Sequence, residues 1–125
     1  MTPRRILIVD NEETVARGIH AGLRKLPDCE VSVACRGGEA LRLARERPFD
    51  LLITDYQIGE TDGLLLAQDV RQVCPSIVIV LVTSIVCDAL YQRAQACRVQ
   101  CVLEKPVPLS KIRRVAMGAL GRSGG

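Results

Sequence analysis

The chain has 125 residues, of which 48% are hydrophobic and 25% are charged, and its formal net charge at pH 7 is +3. This length suits one domain with a single core, and no apolar stretch approaches the roughly 20 residues of a membrane span. The arginines are spread over several predicted helices rather than gathered in one basic stripe, so we expect a cytoplasmic protein that binds neither membrane nor nucleic acid directly.

The first part of the chain alternates between strand and helix patterns. A short apolar run over residues 6–9 predicts the first strand, and apolar residues spaced three to four apart over residues 12–26 predict a helix. Residues 30–34 alternate polar and apolar side chains, which predicts the second strand. Gly37-Gly38 then marks a turn into the second helix. A third strand is predicted over residues 50–54.

The same alternation continues through the second part. A loop over residues 55–61 leads to a helix that carries Leu64, Ala67 and Val73. The longest apolar run, residues 77–82, is rich in β-branched residues and short enough to be a strand buried on both faces.

The remaining elements complete a repeating order of strand and helix. A weaker helix over residues 87–96 precedes a fifth strand over residues 99–103, and a last helix covers residues 109–120. Five strand–helix pairs with short connections imply a parallel sheet that is covered by helices on both faces. Residues 122–125 are expected to form a flexible tail.

Four chemically versatile residues lie at the ends of predicted strands. Asp10, Asp55, Thr83 and Lys105 each stand at or just past the end of an apolar run. If these strands are parallel, the four side chains meet in the crevice where open parallel sheets bind ligands. Alone, Asp10 could be a helix N-cap and Lys105 a surface lysine. Together, two carboxylates, a hydroxyl and an ammonium group indicate chemistry of phosphate and a divalent cation.

Four segments at this edge carry a family resemblance: Ile-Leu-Ile-Val-Asp at 6–10, Asp-Tyr-Gln-Ile-Gly-Glu-Thr-Asp-Gly at 55–63, Val-Thr-Ser at 82–84 and Glu-Lys-Pro at 104–106. In this order and spacing, they resemble the receiver domain of two-component response regulators over the whole chain except the tail. The resemblance implies a flavodoxin-like (βα)5 fold, doubly wound around a five-stranded parallel sheet of order 2-1-3-4-5. Residues 1–121 would form the receiver domain and residues 122–125 the tail.

The resemblance also implies a role for each site residue. Asp55 would be the phosphoacceptor, which takes a phosphoryl group from a histidine kinase or a phosphotransfer protein. Mg²⁺ would be held by Asp10, Asn11, Asp55 and the backbone carbonyl of Gln57. Lys105 would place its ammonium group on the phosphoryl oxygens. Such a domain is a phosphoacceptor with self-phosphorylation chemistry and not a turnover enzyme.

The conformational switch implied by the resemblance centres on Thr83. When its hydroxyl moves toward the phosphoryl group, the face formed by the fourth helix, fifth strand and fifth helix changes shape. The small side chain of Ser84 leaves room for this shift, and Pro106 is expected to follow a cis bond. Gln57 and the apolar Ile85 occupy positions that tune water access, which predicts slow self-dephosphorylation. The expected partners are a downstream protein or effector domain, and a homodimer through the fourth and fifth helices.

Three positions depart from the family pattern. Asn11 stands where a second acid is usual, so one negative charge is missing from a site for a divalent cation. A unit charge pair at about 4 Å is worth roughly 4 kcal/mol at an effective dielectric of about 20, so its loss predicts weak magnesium affinity. Glu12 compensates only if it turns inward from the solvated first turn of the helix. Val102 replaces a rotating aromatic residue, and Gly59 replaces a frequent proline.

These departures keep a second interpretation open. A degenerate receiver, held in one conformation by the loss of an acid, would act as a phosphorylation-independent protein-interaction module. Asn11 and Val102 favour it, whereas the retention of Asp55, Thr83 and Lys105 argues against it. A flavin-binding electron carrier of the same architecture is excluded because the acidic residues after the first strand would repel a flavin phosphate.

Overall fold

A computed structural model describes residues 2–121, so the predicted tail at 122–125 lies outside the described residues. The strands, in chain order, are β1 (Arg4–Val9), β2 (Cys29–Ala34), β3 (Leu51–Asp55), β4 (Gln57–Ile58), β5 (Thr61–Asp62), β6 (Val78–Thr83) and β7 (Cys101–Glu104). Five of them form one parallel sheet in the order β2-β1-β3-β6-β7. When only the five strands of this sheet are numbered along the chain, the order is 2-1-3-4-5. The predicted doubly wound fold is therefore confirmed.

Four helices connect strands, and a fifth follows the last strand. They are α1 (Glu13–Leu23), α2 (Gly37–Glu46), α3 (Gly63–Val73), α4 (Asp88–Ala96) and α5 (Leu109–Ala119). Most predicted boundaries agree within one or two residues, but α1 ends three residues earlier because the chain turns through Leu26, whose N–H donates to the carbonyl of Leu23 at 2.9 Å. Similarly, β7 begins only at Cys101, because the N–H of Val99 donates to the carbonyl of Ala94 at 3.0 Å and completes a turn after α4.

The core consists of two apolar layers on opposite faces of the sheet. Because successive side chains of a strand alternate between faces, Leu7 of β1 joins the layer under α2 and α3, whereas Ile6 and Ile8 join the layer under α1 and α5. Both layers are buried, which explains the continuous apolar run of β1. The rigid sheet that results holds the carboxyl ends of its strands side by side.

The predicted loop over residues 55–61 contains regular structure that the sequence interpretation missed. Within it, β4 and β5 pair antiparallel, and Gly59 in the turn has φ +61°. A proline ring holds φ near −65°, so proline cannot adopt the Gly59 conformation. At the end of the segment, a Cβ on Gly63 would lie 2.0 Å from the carbonyl oxygen of Asp55. Only glycine therefore lets α3 begin directly against the end of β3.

Among the described residues, no helix combines the length and the apolar character that crossing a membrane requires.

Candidate functional site

The ends of four strands build a polar pocket at one edge of the sheet. Asp55 and Thr83 are the last residues of β3 and β6, and Asp10 and Lys105 directly follow β1 and β7. Parallel pairing keeps these ends in register, with Asp55 opposite Val82 and Thr83 opposite Glu104. Asp10, Asp55 and Thr83 are each at most 8% exposed. The structure thus places all four residues at the predicted edge.

Lys105 joins the acidic residues of the pocket. Its ammonium nitrogen donates to Oδ2 of Asp55 at 2.9 Å and to Oδ2 of Asp10 at 3.1 Å, and it lies 3.7 Å from Oε1 of Glu12. Burial disfavours the ammonium group, but the hydrogen bonds to Asp55 and Asp10 outweigh burial and raise the pKa of Lys105. Lys105 therefore remains a fixed positive charge in the site.

Asp10 is the most enclosed carboxylate of the site. Its Oδ1 accepts a hydrogen bond from the N–H of Glu12 at 2.9 Å, while its Oδ2 accepts from Lys105. Burial raises the pKa of Asp10, although both hydrogen bonds oppose the shift. Asp10 does not cap α1, because Glu12 occupies the N-cap position and makes no capping hydrogen bond through its side chain. The carboxylate of Asp10 is therefore directed into the site.

Three carboxylates are arranged so that they could hold a metal ion. Oxygens of Asp10, Glu12 and Asp55 all lie within 4.8 Å of one another. Hard cations such as Mg²⁺ and Ca²⁺ prefer oxygen ligands, so the donor set fits such an ion. Glu12 was expected in the solvated first turn of the helix unless its side chain turned inward, and that side chain is 65% exposed. Its carboxylate nevertheless belongs to the cluster. In the sequence, only its position two residues after Asp10 indicated that it could reach the site.

Asn11 and Gln57 border the same pocket. Both line a cavity of about 270 Å³ together with Glu12, Asp55 and Lys105. The N–H of Gln57 donates weakly to Oδ1 of Asp55, at 3.4 Å. The metal-ligand roles of the Asn11 amide and the Gln57 carbonyl remain predictions.

The hydroxyl of Thr83 is engaged by the loop that follows β6. It accepts a hydrogen bond from the N–H of Ile85 at 3.0 Å. Ser84 lines the same cavity as Thr83, and Ile85 is 43% exposed. The bond between Lys105 and Pro106 is cis, as the resemblance predicted.

Neither Val102 nor any cysteine lines this cavity. Val102 is half-buried and packs against the cluster under α4. Among the cysteines, Cys74 is buried and Cys87 is exposed.

An open sheet of five parallel strands, with carboxylates and a lysine at its carboxyl edge, defines a flavodoxin-like α/β protein with an acidic, cation-compatible pocket. Residues 6–116 match the family model for the response regulator receiver domain. The chain therefore belongs to the response regulator receiver domain family.

Individual relatives agree with this assignment. A response regulator receiver protein of Anaeromyxobacter sp. (strain Fw109-5) is 36% identical over 109 residues, which cover 87% of this chain and 45% of that protein. The response regulator receiver protein CpdR of Brucella abortus (strain 2308) is 31% identical over 106 residues, covering 85% of this chain and 88% of CpdR. This chain thus spans less than half of the first relative and most of the second.

Solved structures share the fold. A CheY-like receiver domain protein from Methanospirillum hungatei JF-1 superposes with a TM-score of 0.86 at 20% identity, covering 98% of both chains. A response regulator from Burkholderia pseudomallei, solved with a phosphorylated aspartic acid, a calcium ion and citrate, gives a TM-score of 0.80 at 26% identity, covering 87% of this chain and 64% of that one.

Proposed function

We propose that this domain is a signalling switch in which Asp55 accepts a phosphoryl group from a histidine kinase or a phosphotransfer protein. The observation that carries the proposal is the contact of Asp55 with Lys105 at 2.9 Å inside a cluster of three carboxylates. The phosphorylated aspartic acid and calcium ion in the Burkholderia pseudomallei relative support the same chemistry.

The acceptor step is a displacement at phosphorus. An Asp55 carboxylate oxygen forms a bond to the phosphorus atom of a phosphohistidine, the P–N bond breaks, and the imidazole leaves with the electron pair. Lys105 already contacts the acceptor carboxylate and is placed to donate to the transferred oxygens. Asp10, Glu12 and Asp55 would hold Mg²⁺, with Asn11 and the Gln57 carbonyl as further ligands. When bound, the cation neutralises charge between the acceptor and the phosphoryl group.

The switch would follow from a competition for the Thr83 hydroxyl. Its oxygen accepts from the N–H of Ile85, and its proton, which is donated only weakly to the carbonyl of Ile85 at 3.4 Å, can instead be donated to a phosphoryl oxygen. That exchange would loosen the loop before α4 and change the surface formed by α4, β7 and α5. Tyr91 of α4 and Met117 of α5 are exposed large side chains, which suit a downstream protein, an effector domain or a second copy of the chain. Ile85 at the rim favours slow self-dephosphorylation.

Incubation of the chain with acetyl phosphate or a cognate kinase, with magnesium, tests the proposal. Intact-mass measurement should show the addition of one phosphoryl group in the wild type and none in Asp55→Asn. Asp69→Asn is the matched control because Asp69 is exposed on α3, away from the site, and it should be modified like the wild type. Failure of every donor to modify the wild type would contradict the proposal.

The interaction-module alternative is favoured by one feature of the site, the uncharged Asn11 beside the acidic cluster. A magnesium titration separates the two functions. Saturable binding supports the phosphoryl switch, and its absence at high magnesium concentration supports a module that works without phosphorylation.

A further inference from the structure

Arg93, in the last turn of α4, contacts two residues of the segment that follows the phosphoacceptor. Its Nη1 donates to the hydroxyl of Tyr56 at 2.7 Å, and its Nη2 donates to Oδ2 of Asp62 at 2.9 Å. The guanidinium carbon also lies 5.7 Å from the centre of the Tyr56 ring. The hydrogen bond to Asp62 raises the pKa of Arg93, so the guanidinium stays charged. One side chain therefore links α4 to both ends of the segment between β3 and α3.

The direction of α4 explains how Arg93 reaches this segment. Because α4 is the crossover between the parallel strands β6 and β7, it runs from the carboxyl edge of the sheet toward the opposite edge. Side chains on a helix tilt toward its N-terminus, so Arg93 points back toward the carboxyl edge. There, Asp62 uses its other oxygen to cap α3, accepting from the N–H of Leu64 at 2.8 Å and of Leu65 at 3.3 Å. Asp62 is thus shared between α3 and α4.

Tyr56 is connected directly to the acceptor. It follows Asp55, its N–H donates to the carbonyl of Val82 at 3.2 Å, and its carbonyl accepts from the N–H of Gly63 at 2.6 Å. Its half-buried ring packs against a buried cluster that includes residues of α4. The cluster is Leu64, Leu81, Leu90 and Ala94. A displacement of the acceptor backbone therefore displaces a ring that α4 contacts both through packing and through Arg93.

Apolar packing holds α4 only lightly. Its buried residues are Leu90 and Ala94, whereas α3 buries five residues, and its N-cap Cys87 makes no capping hydrogen bond through its side chain. A helix with so few buried groups depends more on polar contacts for its position. Val102, which packs on the same cluster, is too short to swing between buried and exposed positions as an aromatic residue would.

We propose that Tyr56 and Arg93 couple the phosphoacceptor to α4. The proposal rests on the phosphorylation of Asp55 proposed above and names the residues that carry its effect to the partner surface. Thr83 acts on the loop before α4, while Tyr56 and Arg93 act on the last turn of α4. Both are positioning residues, since neither lines the cavity beside Asp55. The contacts of Arg93 with Tyr56 and Asp62 would provide the coupling that a swinging aromatic residue at position 102 would otherwise provide.

Hydrogen exchange of the full chain, with and without beryllofluoride plus magnesium as the phosphoryl mimic, tests the coupling. In the wild type, the mimic should change exchange along the whole of α4. Arg93→Gln removes the charge and one donor group, and Tyr56→Phe removes only the hydroxyl and keeps the packed ring. Each variant should lose most of the change in the last turn. Arg93→Lys should not restore it, because a single ammonium group lacks the fork that reaches two acceptors.

Arg42→Gln serves as the matched control. It removes an exposed pair of Arg42 with Glu46 at 2.8 Å on α2, and it should respond to the mimic like the wild type. A merely structural role of Arg93 would raise exchange in α4 equally with and without the mimic. An unchanged difference between the two conditions in Arg93→Gln and Tyr56→Phe would therefore overturn the coupling.

Phosphorylation by acetyl phosphate, followed in parallel by intact mass, separates this inference from the function it rests on. We expect Arg93→Gln and Tyr56→Phe to be modified to the same extent as the wild type, within about twofold. A wild-type chain that is modified but shows no change in α4 overturns the coupling alone. A wild-type chain that neither acetyl phosphate nor a kinase modifies overturns both proposals.

Discussion

The interior of the sheet and its carboxyl edge are built from the same strands but have different roles. The interior stabilises the fold, and the edge carries the polar site. In β3, Leu51, Leu52 and Ile53 are buried among apolar neighbours, whereas Asp55 ends the strand beside two other carboxylates and one lysine. Three of the four buried polar residues among positions 2–121 are the site residues Asp10, Asp55 and Thr83. The comparison teaches that the apolar interior supplies the stability that a crowded acidic pocket requires.

The largest effect expected on stability concerns the interior. Leu52 is fully buried, so Leu52→Ala should lower the free energy of unfolding by about 2–5 kcal/mol because it removes apolar contacts and leaves a cavity. Urea denaturation measures this change. Leu65→Ala is the control, since Leu65 is 55% exposed and its truncation should cost within about 0.5 kcal/mol. Equal losses in both variants would contradict the assigned division between interior and surface.

The second effect concerns the edge. Asp10→Asn should weaken magnesium binding tenfold or more, because a buried carboxylate of the cluster becomes neutral. The stability of the metal-free protein should change little, because the loss of the contact with Lys105 is offset by relief from burying a charge and from repulsion with Asp55. Isothermal titration and urea denaturation measure the two quantities. A marked loss of stability would show that Asp10 supports the fold as the interior residues do.

A third substitution reverses the family departure at the edge. Asn11→Asp restores a negative charge beside the cavity and should raise magnesium affinity about tenfold, which titration calorimetry measures. The added charge should also slightly lower the stability of the metal-free protein. Asp28→Asn, remote from the site and directly before β2, is the charge-changing control and should leave the affinity unchanged. An unaltered affinity in Asn11→Asp would remove Asn11 from the metal site.

The smallest expected effect is a difference in alkylation rate between two thiols, those of Cys101 and Cys87. Burial raises the pKa of Cys101 in β7 above its ordinary value of 9.0, although Lys111 opposes the shift. The thiolate is the reactive form, so alkylation of Cys101 at pH 8 should be slower than that of the exposed Cys87. Because the folded protein favours the neutral thiol of Cys101, this thiol contributes to the free energy of unfolding below pH 9.0, its ordinary pKa. The contribution is lost as the pH rises from 9.0 toward the higher pKa of the folded state. Peptide mapping after timed alkylation measures the rates, and equal rates at pH 8 would contradict the prediction.

Much of the edge was predictable because its residues stand where periodic apolar patterns end. The pattern places Asp55 and Lys105 at strand ends, and parallel strands bring such ends together. The contact of Lys105 with Asp55 and Asp10 agrees with that expectation. The hairpin of β4 and β5 was not predictable in this way, because two-residue strands have no measurable period.

Local patterning of apolar and polar residues therefore specified the five strands of the main sheet, the five helices and the convergence of four strand ends, since burial of apolar faces allows few other arrangements. The order of the strands came from the family resemblance. The entry of Glu12 into the acidic cluster and the bridge from Arg93 to Tyr56 and Asp62 arose only from the folded arrangement. The physical reason is the length of these side chains, which contact residues on other elements. Whether a long charged side chain meets a partner on another element depends on the distance and angle between those elements, which the periodicity of one segment does not encode.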